Sequence, residues 1–195
     1  MLDPRSSPDA YEEFLAVLRR GGAIAYPAET MYGLGAIGPD RENEARLNRM
    51  KRRDPASPLI YLTDGWLRCA SLCADPRGAG RALAERFWPG PLTIVLPRSD
   101  GNGTVAFRQP ALPFVHRWIR DLDSLLSSTS ANRSGEPPAF TERSVLHSFE
   151  TELDAIVLDG DFTPRGAPST IVRIEKSGYT ILREGSIPEA QIHTT

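Results

Sequence analysis

Only two cysteines occur among the 195 residues. Cys69 and Cys73 stand four apart with no second pair and no nearby histidine, so neither a zinc site nor a disulfide framework is encoded. Both read as small buried core residues. Histidine is nearly as scarce: His116, His147 and His193 fall in peripheral segments, and neither G-x-S-x-G nor S-x-x-K occurs, which sets serine-hydrolase chemistry aside. There is no G-x-x-x-x-G-K-S/T, so a nucleotide would be held without a standard phosphate loop. No apolar run approaches the ~20 residues that cross a bilayer, and Met1-Leu2-Asp3-Pro4 starts no signal peptide. The expectation is therefore a cytoplasmic protein with no membrane partner. A net charge of -2, with 40% hydrophobic and 25% charged residues, carries no global nucleic-acid footprint. Repeats, low-complexity tracts and linkers are also lacking, and the length fits one domain over residues 1–195 with a sizeable core.

Lysine is the informative scarcity. Of 23 basic residues only Lys51 and Lys176 are lysines. A chain that uses arginine nearly everywhere still places lysine at 51, beside Arg52 and Arg53. A compact ammonium and a planar fork are not interchangeable at a precise site, so this choice points to a specific need for an ammonium.

What is present alternates between helical and strand-like patterns. Ser7-Pro8-Asp9 opens a helix whose apolar face is Tyr11, Phe14, Leu15 and Leu18 and which ends at Gly21-Gly22. Ala23 to Tyr26 is a short buried strand, and Ala28 to Gly35 reads as a polar-to-glycine turn. A helix over Arg41 to Met50 precedes the strand Leu59 to Leu62. Helices are expected from Thr63 to Cys73 and from Asp75-Pro76 to Phe87. Trp88-Pro89-Gly90-Pro91 turns into the strand Leu92 to Leu96, and Asp100 to Gly103 mark a hairpin to Val105–Arg108. A helix from Leu112 to Arg120 leads to a strand ending at Leu125-Leu126. A short helix from Thr141, a strand from Ala155 to Leu158 and a hairpin of Ser169–Ile174 with Tyr179–Leu182 follow; Pro188 onward is a short appendage. The pattern predicts an α/β fold: a twisted, open, mixed parallel and antiparallel sheet with helices on its faces.

Three stretches carry chemistry. Ser127-Ser128-Thr129-Ser130-Ala131-Asn132-Arg133-Ser134-Gly135 packs small hydroxyls and a carboxamide after a strand, which suits close approach to a polar ligand or an ordinary serine-rich turn. Gly33-Leu34-Gly35-Ala36-Ile37-Gly38 matches G-x-G-x-x-G, but six residues separate it from its strand and no acid-ending strand follows, which argues against a dinucleotide site. Residues 41–53 hold six basic and two acidic residues, a +4 run that reads as a solvated helix face or as RNA contact. Lys51 and Arg53 at the helix end, with Arg108 and Arg183 closing strands, jointly suggest an anionic ligand.

Seven stretches together resemble the YrdC/TsaC family, the threonylcarbamoyl-AMP synthases. They are Gly22–Pro27 with Thr30–Gly35, Lys51-x-Arg53 with Ser57-Pro58-Leu59, Trp88–Thr93, Val105–Arg108-x-Pro110, Thr129–Asn132-x-Ser134-Gly135, Pro168–Val172 and Ile181–Gly185. They stand in the family order over a core of about residues 10–187. The resemblance implies a YrdC-like fold with a large concave basic cavity. It implies formation of L-threonylcarbamoyladenylate and pyrophosphate from L-threonine, bicarbonate and ATP, for tRNA N6-threonylcarbamoyladenosine-37 synthesis through a separate transferase complex. Carried over by position, Lys51, Arg53, Ser130 and Asn132 would be catalytic. Thr30, Arg108, Ser130 and Ser169 would hold threonine; Arg53, Ser57, Thr104, Asn132 and Arg183 would hold ATP, with Mg2+ bound mainly through the phosphates and no protein metal site. The departures are Ala28 for the usual threonine, Glu29 for aspartate, Asp54 for proline and Leu62 for a histidine of some members. Two other readings are a non-catalytic RNA-binding module and a paralogue whose different substrate reflects Ala28 and Leu62.

Overall fold

The first helix, α1 (Pro8–Arg19), begins where the Ser7 hydroxyl accepts the Ala10 N–H at 3.1 Å, with Pro8 in its first turn. The computed structural model describes residues 4, 6–75, 77–158 and 167–192; Pro76 and His193 lie outside them. Along the chain come β1 (Ile24–Pro27), β2 (Tyr32–Gly38), α2 (Arg41–Met50), β3 (Ile60–Leu62), α3 (Trp66–Cys69), α4 (Ala79–Phe87), β4 (Leu92–Pro97) and β5 (Thr104–Arg108). They are followed by α5 (Pro113–Leu122), β6 (Leu125–Ser130), α6 (Glu142–Phe149), β7 (Ala155–Ile156), β8 (Thr170–Glu175), β9 (Gly178–Arg183) and α7 (Glu189–Ile192).

The described strands form one sheet in the order β7-β1-β2-β6-β3-β5-β4-β8-β9. Three neighbouring pairs, β1–β7, β3–β5 and β4–β8, are parallel and the rest antiparallel. Both faces of one half are covered. Phe14 and Leu18 of α1 and Val115, Trp118 and Ile119 of α5 pack on Ile24, Tyr26 and Leu126. Leu47 and Met50 of α2 and Val145 and Phe149 of α6 pack on the alternate residues Ala25, Leu34 and Ala36 of the other face. Among the described residues the second half is covered on one face only, where Leu83 and Ala84 of α4 meet Ile94, Leu96, Phe107 and Val172. On its other face Ile60, Arg108, Thr93 and Ile171 border a cavity. That uncovered face positions the site.

The structure departs from the sequence reading in four places. The 28–35 turn is only its first part: the Ala28 N–H bonds the Met31 carbonyl at 3.1 Å, and Gly33 and Gly35 are already inside β2. A β-carbon on Gly33 would stand 2.8 Å from the Tyr26 ring, so the glycines leave room for an aromatic lying across the strand. Likewise β6 does not stop at Leu126 but continues through Ser130. Its small residues face the glycines of β2, with Gly33 opposite Ser130 and Gly35 opposite Ser128. The helices expected from Thr63 and Asp75 are shorter. Asp75 stays outside α4 and accepts the Gly80 and Arg81 N–H groups at 3.2 and 2.9 Å, capping it from without. The tail is no appendage, since Ile187 and Ile192 are buried against the β4–β8 cluster. Cys69 and Cys73 are free and buried.

Candidate active site

The uncovered half-sheet, the β1–β2 turn and the end of α2 enclose a cavity of about 290 Å³. Lys51, Arg53, Arg108 and Arg183 line it, with the hydroxyl residues Thr30, Thr93, Ser128, Ser130 and Ser169; among the described residues no acid is part of the lining. His116 and His147 do not reach it.

Lys51 follows the last turn of α2 and is 4% exposed. Its Nζ donates to the Ser130 carbonyl and the Asn132 carbonyl, both at 2.7 Å, and to Asn132 Oδ1 at 3.0 Å, with Ser130 Oγ at 3.3 Å. Three protons are shared among four oxygens set around a compact cation. The Ser130 hydroxyl donates to Asn132 Oδ1 at 2.5 Å, so Lys51 is not placed to remove its proton. The Asn132 amide donates to the Arg133 and Glu136 carbonyls at 3.0 and 2.7 Å, and Asn132 lies behind the cavity wall. Lys51, Ser130 and Asn132 thus form one knot that fixes the loop after β6.

Arg53 is held by its Nε on Asn48 Oδ1 at 2.7 Å, with Nη2 3.5 Å from the Pro58 carbonyl. Burial lowers its pKa, and burial followed by the charge of Arg53 brings the Lys51 ammonium down to about 8. Across the cavity Arg108 ends β5, where its Nε donates to the Gly90 carbonyl at 3.1 Å. Its Nη2 lies 2.6 Å from Glu29 Oε1, an ion pair not aligned as a hydrogen bond; the same oxygen accepts the Ala111 N–H at 2.8 Å. Arg183, at the end of β9, donates to the Ser169 carbonyl from Nε at 3.1 Å and Nη2 at 2.8 Å. Its pKa is lowered by burial and then by Arg108. Two pairs of like charges therefore face one cavity from opposite sides, and each pair is relieved by an anion between its members.

The hydroxyls divide into engaged and free. Ser169 Oγ pairs with Thr93 Oγ1 at 2.9 Å, and Ser128 Oγ pairs with Tyr26 Oη at 2.6 Å. Burial, the largest influence, pushes the Tyr26 phenol up to about 12. Thr30 is 5% exposed, lines the cavity and makes no hydrogen bond to a described residue, which leaves its hydroxyl for a ligand. The positions of Ala28, Leu62 and Leu112 give the adjoining floor an apolar character.

Of the residues expected from sequence, Lys51, Arg53, Thr30, Arg108, Ser130, Ser169 and Arg183 meet at this cavity, and Asn132 supports it from behind. Ser57 lies off the wall, its carbonyl taken by Asn48 Nδ2 at 2.8 Å, although Pro58 and Leu59 beside it are on the wall. Thr104 is not brought to it either. It is exposed at the start of β5, four residues and about 13 Å along the strand from Arg108. Ser128, Thr93 and Glu29 are additions to the expected set. Strand alternation back from Ser130 points to Ser128, whereas nothing local in the sequence marks Glu29 as the partner of Arg108. Among the described residues no group of three or more Asp, Glu, His or Cys side chains could hold a metal ion.

The Sua5/YciO/YrdC family model, described as telomere recombination, matches residues 16–185. A threonylcarbamoyl-AMP synthase of Thiobacillus denitrificans is 38% identical over 165 residues, which are 80% of this chain and 87% of that protein. One of Pyrococcus abyssi is 33% identical over 183 residues, 90% of this chain, and the chain spans 54% of that longer relative. The crystal structure of P. abyssi Sua5 complexed with L-threonine superposes with a TM-score of 0.88 at 31% identity, covering 97% of this chain and 58% of the other.

Proposed function

The chain belongs to the Sua5/YciO/YrdC family, and on that premise we propose that it is a threonylcarbamoyl-AMP synthase. It would form L-threonylcarbamoyladenylate and pyrophosphate from L-threonine, bicarbonate and ATP, supplying a separate transferase complex that modifies adenosine 37 of tRNA. The observation that carries this reading is the cavity with a cation pair on each side and no acid among the described residues of its wall.

The chemistry asks for what that cavity offers. Bicarbonate takes up a proton and loses water to give CO2; the threonine nitrogen adds to its carbon and gives up a proton, leaving a carbamate. A carbamate oxygen then attacks the α-phosphorus, and the bond to the β-phosphate oxygen breaks to release pyrophosphate. No side-chain nucleophile is required. The protein must hold two anions together, offset phosphate charge and keep water from a labile adenylate. Arg108, Ser169 and the unpaired Thr30 hydroxyl would take the amino acid; Arg53 and Arg183 would take the nucleotide, with Ser57 and Thr104 reached only where ATP extends beyond the cavity. Lys51 adds positive potential while its protons hold Ser130 and Asn132 in place. Mg2+ would enter on the phosphates as part of the nucleotide substrate.

Helix α2 also bears on the RNA-binding alternative. Arg46 is turned inward to Asp154 at 2.8 Å, and Lys51 and Arg53 to the cavity, which leaves Arg41, Arg49 and Arg52 exposed from the +4 run. A surface of three arginines is a weak footprint for RNA. The test is pyrophosphate release from ATP with L-threonine and bicarbonate omitted in turn. Release that needs both supports the synthase. Nucleotide binding without threonine-dependent release overturns it and directs attention to Ala28 and Leu62.

A further inference from the structure

Arg133 occupies the one position between Asn132 and Ser134 that the sequence motif leaves open, yet it is among the most engaged side chains of the site region. Its guanidinium is 13% exposed and paired with Glu152 through both carboxylate oxygens, and it also donates to the Met50 carbonyl and, at 2.5 Å, to the Ser148 carbonyl. Its face lies over the Phe149 ring, with the guanidinium carbon 4.3 Å from the ring centre. Met50 is the last residue of α2, so its carbonyl is one of the four that a helix end leaves without an internal partner. The next carbonyl, that of Lys51, receives the Ser134 N–H at 2.9 Å. The loop and the helix end are therefore stitched in both directions: Lys51 Nζ donates forward to Ser130 and Asn132, and Arg133 and Ser134 donate back to Met50 and Lys51. Glu152 is itself anchored, since its carbonyl accepts Arg46 Nη2 at 3.1 Å.

We infer that Arg133, oriented by Glu152, is a positioning residue that sets the Lys51–Ser130–Asn132 knot against the cavity. The inference deepens the synthase reading and rests on it for the kinetic consequence, but not for the placement of Lys51. A planar fork with five donors is the side chain that can bind a carboxylate and two carbonyls of different elements at once; a lysine keeps the charge and loses the span. Misplacement of a catalytic group by about 1 Å lowers turnover roughly 100-fold.

The chain's two lysines make the test direct. With lysine labelled by carbon-13 at Cε, nuclear magnetic resonance reads one signal from Lys51 and one from the exposed Lys176, which serves as reference. In Arg133→Gln, which adds no third lysine, the Lys51 titration midpoint, depressed by burial and Arg53 in the wild type, should move up toward the ~10.4 of a solvated lysine. Turnover in pyrophosphate release should fall about 10- to 100-fold, with KM for threonine little changed because Thr30 and Arg108 are untouched. Glu152→Gln, which keeps the guanidinium and its carbonyl contacts, provides the same comparison if Arg133→Gln does not fold. An unmoved Lys51 signal with unchanged turnover in a folded variant overturns the inference. Should the wild type show no threonine-dependent release, the synthase reading fails, and the Lys51 signal alone still decides whether Arg133 sets the knot.

Discussion

At the scale of the residue, Lys51 shows why one basic side chain is not another. Its ammonium sits at hydrogen-bond distance from four oxygens contributed by Ser130 and Asn132, in a pocket from which water is largely excluded. A guanidinium is longer and flat, and it cannot direct three protons into that cone without pushing the loop outward. Lys51→Arg is therefore expected to lower pyrophosphate release roughly 100-fold while leaving a cooperative fold, measured as initial rates beside thermal melts. An arginine variant of near wild-type rate would show that charge alone suffices. Arg108 is the counterpart on the opposite wall. It is held by Gly90 and Glu29, and its remaining surface is available to an anion.

At the scale of the element, the central feature is that two strands of poor strand formers lie side by side. Glycine and serine have little intrinsic preference for extended structure, and what makes β2 and β6 strands is fit: Tyr26 covers Gly33 and Gly35 and bonds Ser128 at 2.6 Å. In Gly33→Ala the new methyl meets the Tyr26 ring, which cannot swing away without losing that bond. The expected loss is about 1–3 kcal/mol, seen as a lower urea midpoint at unchanged slope. The same feature marks what could be read from the sequence. Strand ends flagged by proline or glycine, such as Arg108 before Gln109-Pro110 and Arg183 before Glu184-Gly185, were legible, and so were the capped helices α1, α2 and α6. The strand character of residues 33–38 and 127–130 was not, because it is set by cross-strand packing and carries no periodicity of its own. Thr104 lies off the cavity wall for a related reason, since a motif gives neighbours in sequence while strand length decides distance. Arg133 escaped because its partners, Met50 and Glu152, are brought to it only by tertiary contacts.

At the scale of the whole molecule, the buried titratable groups shape stability on the alkaline side. Lys51 titrates near 8 in the folded protein against an ordinary 10.5, so from about pH 8 upward the unfolded chain binds the extra proton and stability rises. Cys69 has the opposite sign. Burial lifts it from 9 to about 12, so its contribution is complete below about pH 9 and is lost as the pH climbs beyond. Tyr26 and Tyr61, each raised from 10 to about 12 chiefly by burial, add to that loss from about pH 10. Urea midpoints across the alkaline range should therefore climb slightly between about pH 8 and 9 and then fall. Lys51→Met should abolish the climb and keep the fall; a midpoint flat through both ranges in the wild type would contradict this assignment.

The parts of the cavity wall are widely separated along the chain: Thr30 comes early, Lys51 next, Arg108 and Ser130 in the middle, and Ser169 and Arg183 near the end. The strand bearing Arg183 lies at one edge of the sheet, and β7, paired with β1, closes the other. A growing polypeptide thus carries an incomplete pocket until its closing hairpin has been synthesised and docked. On the proposed function, nucleotide capture would report that the last wall residues are in place, and ligand stabilisation would begin only once β9 has docked.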